Sequence, residues 1–266
     1  MKKIETELYE LLQIIGPSGQ EEEVIRYIRP RMEKVLEHVH LDDYGNLLGE
    51  SVCGSGAGPT VLLCAHMDTV DWIVPGREVK RDGDVLTSSE GVLGADDRAG
   101  MAIVMAAVRN VRATDFSGRL KIAFTREEEV GRCGSKAMDR DWLSDVDLAI
   151  VVDRRGNRDI VTSRGQVQPF CDPAVGVFFE QAGAAAGMPD WRAVQGGISD
   201  ACTFACYGIN SVNLSAGYLY EHTEQERVDL RWVKETTKLI LTALDLMMAG
   251  RQEERLFPDR LCQIGR

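Results

Sequence analysis

Seven residues of this 266-residue chain have types and placements suited to holding metal and activating water: His66, Asp68, Asp96, Glu128, Glu129, Asp153 and His222. His66 and Asp68 close the apolar run Val61-Leu62-Leu63-Cys64-Ala65, and Asp96 lies in Gly94-Ala95-Asp96-Asp97-Arg98-Ala99-Gly100, at the start of an apolar stretch. Glu128 and Glu129 come just after Phe124-Thr125, Asp153 ends Leu148 to Val152, and His222 follows Gly217-Tyr218-Leu219-Tyr220-Glu221. Each falls at the end of a predicted strand or at a tight turn, and open α/β sheets bind ligands at their strand ends. Two imidazoles, a lone Asp, one Glu and a shared carboxylate would hold two divalent ions side by side. A further Glu would then serve the water, which is hydrolase chemistry.

Each segment taken alone is ambiguous. His66 and Asp68 start on the same face of a strand, so Asp68 can receive the second ring N–H of a ligating His66. Yet His38-Val39-His40 has equally suggestive spacing, and it reads as solvent-facing because no acidic cluster joins it. Asp96 and Asp97 before an apolar helix fit an N-cap with first-turn acids as well as they fit a bridging ligand beside a turn anchor. Three consecutive Glu are most often a solvated turn. Neighbours there point in different directions, so one could hold metal while the next addresses its water, and the spacing does not say which. A lone Asp ending a buried strand is costly unless paired or metal-bound. The order and strand-end placement of these segments agree with one another, and two of the four His complete one site.

The elements that must position these residues alternate between helix and strand. Ile4 to Ile15 repeats at helical spacing, and Gly16-Pro17-Ser18-Gly19 breaks it, with Ser18 placed to cap a Glu-rich helix running toward Val35 and kinked at Pro30. Val39 to Gly49 predicts a strand or hairpin, and Thr60 to Ala65 a strand covered on both faces. Further strands are expected at Leu120 to Thr125, Leu148 to Val152 and Ser211 to Leu214, with an edge strand at Asp159 to Thr162. Helices are expected at Asp96 to Val111, Ala174 to Ala186, Asp200 to Tyr207 and Leu230 to Met248. The pattern predicts a three-layer α/β/α fold with a mostly parallel, mixed central sheet, organised as one domain over residues 1–266.

A net charge of −11 and a pI near 5 argue against nucleic acid or an anionic membrane as partner. The start of the chain is charged and amphipathic, not a secretory leader, and no run approaches the ~20 apolar residues of a membrane span. Seven irregularly spaced Cys read as reduced thiols in a cytoplasmic protein. Cys202 and Cys206, four apart on a predicted helix, read as buried small hydrophobes.

Pro17 to Glu21, Ala65 to Thr69, Leu93 to Gly100, Phe124 to Gly131, Val151 to Asp153, Gly196 to Asp200 and His222-Thr223 together resemble the co-catalytic two-zinc exopeptidases typified by peptidase T and the deblocking glutamyl aminopeptidases. The resemblance spans roughly residues 10 to 245, in the correct order. It implies that His66, Asp96 and Asp153 hold one metal and that Asp96, Glu129 and His222 hold the other. Glu128 would be the general base, Asp68 would orient His66, and the Asp96–Asp97 peptide would be cis. Larger relatives insert a second domain, but 29 residues between His66 and Asp96 and 68 between Asp153 and His222 leave no room for one. The expected activity is aminopeptidase action on short peptides with two Zn2+, or Co2+ or Mn2+ according to supply. Arg98, Arg154 and Arg155 are the candidate anchors for a carboxylate substrate. An amidohydrolase acting on N-acyl amino acids, a carboxypeptidase and a metal-free binding or scaffold relative are the rivals. A homo-oligomer is compatible with the sequence.

Overall fold

The computed structural model describes residues 2–248. Helices α1 (Lys2–Leu12) and α2 (Glu22–Met32) come first, then the hairpin β1 (His38–Leu41) and β2 (Leu47–Val52), and strand β3 (Thr60–His66). A second hairpin, β4 (Val79–Asp82) and β5 (Val85–Ser88), precedes α3 (Ala95–Asn110) and β6 (Arg119–Thr125). Short helices α4 (Cys133–Ala137) and α5 (Arg140–Leu143) lead to β7 (Leu148–Arg154), β8 (Asp159–Arg164) and β9 (Gln168–Pro169). Then come α6 (Pro173–Ala185), β10 (Arg192–Gly196), α7 (Asp200–Cys206), β11 (Asn210–Ser215), β12 (Tyr218–Leu219), β13 (Arg227–Asp229) and α8 (Leu230–Leu246).

The main sheet runs β1-β2-β6-β3-β7-β11-β8-β10, with β9 paired to β8. Its central strands β6, β3, β7 and β11 are mutually parallel, and antiparallel pairings flank them. The period of two in a strand explains why β3 is apolar throughout. Val61, Leu63 and Ala65 enter one core with α1, α2, α3, α6 and α8, while Leu62 and Cys64 enter a second core with α5 and α7. All seven β3 residues are buried. Burying one such Leu contributes about 1.5–3 kcal/mol, so a charged residue at Leu62 or Leu63 would break the layer it faces. These are the three expected layers. They aim the carboxyl ends of β3, β6, β7 and β11 at one edge of the sheet.

The interval between His66 and Asp96 holds a hairpin, not an inserted domain: β4 and β5 join β13 and β12 in a small antiparallel sheet, β12-β13-β5-β4. Three sequence expectations are corrected. Residues 159–162 do not form an edge strand, because β10 pairs parallel to β8 and takes the edge. The mostly exposed Arg192-Ala193-Val194-Gln195-Gly196 lacks the apolar run that would have announced it. Ser18 does not cap the second helix, which starts after Glu21 without a side-chain cap; its hydroxyl is drawn to a buried carboxylate instead. Cys206 is exposed, whereas Cys202 is buried as expected. His38 and His40 are exposed on β1. Among the described residues no helix is long and apolar enough to cross a membrane.

Candidate metal centre

His66 ends β3 with its imidazole buried. Its Nδ1 lies 3.0 Å from the backbone oxygen of Asp68 and 3.3 Å from Asp68 Oδ1. A proton donated there leaves Nε2 facing Asp96 Oδ1 at 3.1 Å and Asp153 Oδ1 at 3.7 Å. Asp68, fully buried, also accepts the Ser18 hydroxyl at 2.7 Å and the backbone N–H groups of Glu128 at 2.9 Å and Glu129 at 3.1 Å. One carboxylate thus fixes both the ring of His66 and the loop that carries the two Glu. Burial alone would raise Asp68, but hydrogen bonds from His66, Ser18 and Glu128 N–H outweigh it and bring the carboxyl to about 2.

Asp96 is set by the first turn of α3. Gly94 turns the chain at φ +75°, and the buried carboxylate of Glu226 accepts the backbone N–H groups of Gly94 at 2.7 Å and Asp96 at 3.0 Å. The Asp96–Asp97 peptide is cis. Asp97 anchors the turn, accepting Gly100 N–H at 2.9 Å and His66 N–H at 3.3 Å. Gly100 must lack a side chain, since a Cβ would overlap the Asp97 carboxylate and the Val152 carbonyl of β7. The two oxygens of Asp96 address two different imidazoles: Oδ1 faces His66, and Oδ2 lies 3.2 Å from His222 Nε2. His222 Nε2 is also 2.8 Å from Glu129 Oε1.

Asp153, near the end of β7, is steadied by the Tyr218 hydroxyl, which donates to its Oδ1 at 2.9 Å. Its backbone is bracketed by the Asn213 side chain on β11. Donor atoms of His66, Glu128 and Asp153, of His66, Asp96 and Glu129, and of Asp96, Asp97 and Asp153 lie within 4.8 Å of one another in each set. The structure therefore brings His66, Asp68, Asp96, Glu128, Glu129, Asp153 and His222 around one pocket.

The electrostatics mark a site that its own residues do not neutralise. Burial, then the Asp153 carboxylate, pushes Glu128 up to about 9. Burial, then Asp96, pushes Asp153 up to about 7, and burial also raises Glu129. Hydrogen bonds to Asp96 and Glu129 carry His222 up to about 10. Hydrogen bonds to Asp153, Asp68 and Asp96 hold His66 well above its ordinary value against the opposing effect of burial. Crowded carboxylates and two imidazoles in low dielectric form a nitrogen–oxygen donor set that fits divalent Zn, Mn or Co. His66 already has the carboxylate partner that metal-binding imidazoles usually have.

Sequence reasoning missed Glu226, Tyr218 and Asn213, which act on the backbone or from behind other side chains and leave no spacing signal. It also gave Arg98 a substrate-facing role that burial rules out. The Arg98 guanidinium is enclosed, donates to the Met67 carbonyl, and has neither Nε nor Nη2 hydrogen-bonded. Arg154 is paired with Asp159 and Arg155 with Glu221.

The sequence model for peptidase family M28 matches residues 46–245. The chain belongs to peptidase family M28. Its curated relatives include an uncharacterised protein of Bacillus subtilis, 31% identical over 154 residues that cover 54% of this chain and 41% of the relative. A peptidase T-like protein of Yersinia pestis is 29% identical over 150 residues, covering 44% of this chain and 36% of the relative. These matches span less than half of each relative's length. Among solved structures, the aminopeptidase PepT of Bacillus cereus superposes with a TM-score of 0.83 at 19% identity, covering 92% of this chain and 98% of that one. The M28 chain thus shares the three-layer fold of a solved aminopeptidase.

Proposed function

We propose that this M28 chain is a metal-dependent exopeptidase that releases amino-terminal residues from short peptides, with two divalent ions, foremost Zn2+, as cofactors. His66, Asp96 and Asp153 would hold one ion, and Asp96, Glu129 and His222 the other. The observation that carries this reading is Asp96, whose two oxygens each face a different imidazole. The ions, when bound, would polarise the scissile carbonyl and acidify the attacking water.

The remaining chemistry belongs to the chain. Glu128 takes the proton of the attacking water and returns it to the departing amine, the part a carboxylate beside the paired ligands can play once bound ions offset the charges that keep it protonated. Asp68 holds the Glu128 backbone and the His66 ring in fixed relation, so base and ligand keep their spacing. The half-exposed His222 marks the open side where a peptide can enter. An acidic cleft suits a free α-amino group. A carboxylate-terminated substrate finds no free partner in Arg98, Arg154 or Arg155, and that favours the amino end over the carboxyl end. We propose further that the described residues work as one catalytic unit in the cytoplasm, a reading supported by six free cysteines among them.

The test is metal analysis of the purified protein combined with a panel of free-amine, N-acetylated and C-amidated di- and tripeptides. We expect about two bound ions per chain, cleavage of free-amine and C-amidated peptides, and little cleavage of N-acetylated ones. Metal-free activity, or preference for the N-acetylated set, would overturn the reading.

A further inference from the structure

The segments that carry Asp68, Asp96 and His222 run on to line a cavity of about 350 Å³. Asp71 lies three residues after Asp68, Val92 four before Asp96, and Glu224 two after His222. These segments are tied together: Val92 N–H donates to the Trp72 carbonyl at 3.2 Å, and Glu226, two residues past Glu224, grips the backbone of Gly94 and Asp96. The walls of the cavity are therefore built from the same segments that position Asp68, Asp96 and His222. Trp72, Val74, Pro75 and Val92 give it an apolar wall, and Asp71 and Glu224 supply two carboxylates. Trp72 is 67% exposed, an unusual cost for the largest apolar side chain.

We propose that this cavity receives the substrate side chain next to the scissile bond, and that it selects a long aliphatic side chain ending in a cation, as in lysine or arginine. The inference rests on the exopeptidase reading and names its substrate class. The methylene stem of such a side chain packs on an apolar wall while its charged head reaches polar groups. The head then meets two carboxylates and the face of an indole, both of which attract cations. An acidic side chain would meet two like charges there. A plain aliphatic one would fill the wall and leave the carboxylates unpaired.

The experiment compares Lys-Ala, Leu-Ala and Glu-Ala as substrates of the metal-loaded enzyme, in wild type, Asp71→Asn/Glu224→Gln and Glu224→Lys. In parallel, calorimetry measures binding of L-lysinamide and L-leucinamide. Wild type is expected to favour Lys-Ala over Leu-Ala in kcat/KM by roughly tenfold, the scale of a hydrogen bond to a charged group. The double variant should bring that ratio toward one, and Glu224→Lys should raise Glu-Ala relative to Lys-Ala. A wild-type ratio of one or less, or a ratio unmoved in the double variant, overturns the assignment. If no peptide is cleaved, the exopeptidase reading fails, and calorimetry decides the cavity alone: tighter binding of lysinamide, weakened in the double variant, upholds it, and equal binding of both amides overturns it.

Discussion

Replacing Asp68 by Asn keeps the side chain's shape and removes what it does. The fully buried carboxylate accepts on two sides: Oδ1 takes Glu128 N–H and faces His66 Nδ1, while Oδ2 takes Ser18 and Glu129 N–H. An amide must turn its NH2 to one side. The Ser18 hydroxyl can rotate to accept, but a backbone N–H cannot, so in either orientation one of the two Glu amides loses its partner. An unsatisfied buried donor costs about 1–3 kcal/mol, and we take about 2. For a chain of this size that lowers the melting temperature by about 4–8 °C. The displaced loop carries the proposed base and one proposed ligand, and the freed imidazole is another, so metal affinity or turnover should fall about 10–100-fold. Thermal unfolding, titration with buffered Zn2+ and hydrolysis of a free-amine dipeptide read the three effects. Wild-type melting, metal affinity and turnover in Asp68→Asn would refute the argument that this one carboxylate couples ring and loop.

Two further perturbations test the electrostatics. After chelation, stability should fall as pH rises from about 5 to 9. The folded protein keeps protons on Glu128 to about 9 and on Asp153 to about 7 that the unfolded chain has lost, and His222, raised from 6.5 to about 10, gives up its contribution between those two values, which deepens the fall on the alkaline side. Asp68 and Asp96, held below their ordinary values, act only at lower pH and do not reverse the slope. Added Zn2+ should restore stability most at the alkaline end, because ligands must be deprotonated; melting temperatures that rise with pH in the chelated protein would contradict this. Arg98→Met should cost about 3 kcal/mol or more in denaturant unfolding, since the buried guanidinium offsets Asp68, Asp97 and Glu21. An unchanged unfolding midpoint would show that the cation is not needed there.

The central sheet was legible because β3 and β7 bury both faces, so that continuous apolar runs are their only stable composition. The clustering of the candidate site was legible because its side chains stand at or near the ends of those runs. What escaped lay where the sequence carries no period: β10 is mostly exposed, and the short strands of the small sheet are defined by partners far away in the chain. Glu226 supports Asp96 through backbone N–H groups, and any acceptor at that point would serve, so no residue pattern records it. Ser18 had the composition of a cap, yet a buried carboxylate competed for its hydroxyl and won. The Glu register is a point where residue types alone were silent, because Glu127, Glu128 and Glu129 are chemically identical.

That register is also the centre of the account. The most direct measurement is bound metal and dipeptide hydrolysis in Glu128→Gln and Glu129→Gln, purified and assayed side by side. Glu128→Gln is predicted to keep near-normal metal while losing about 10²–10⁴ in turnover, the contribution typical of a general base. Glu129→Gln is predicted to lose metal from one position and to regain part of its activity in excess Zn2+. Full turnover in Glu128→Gln, or metal loss there with retention in Glu129→Gln, would contradict the assignment of base and ligand.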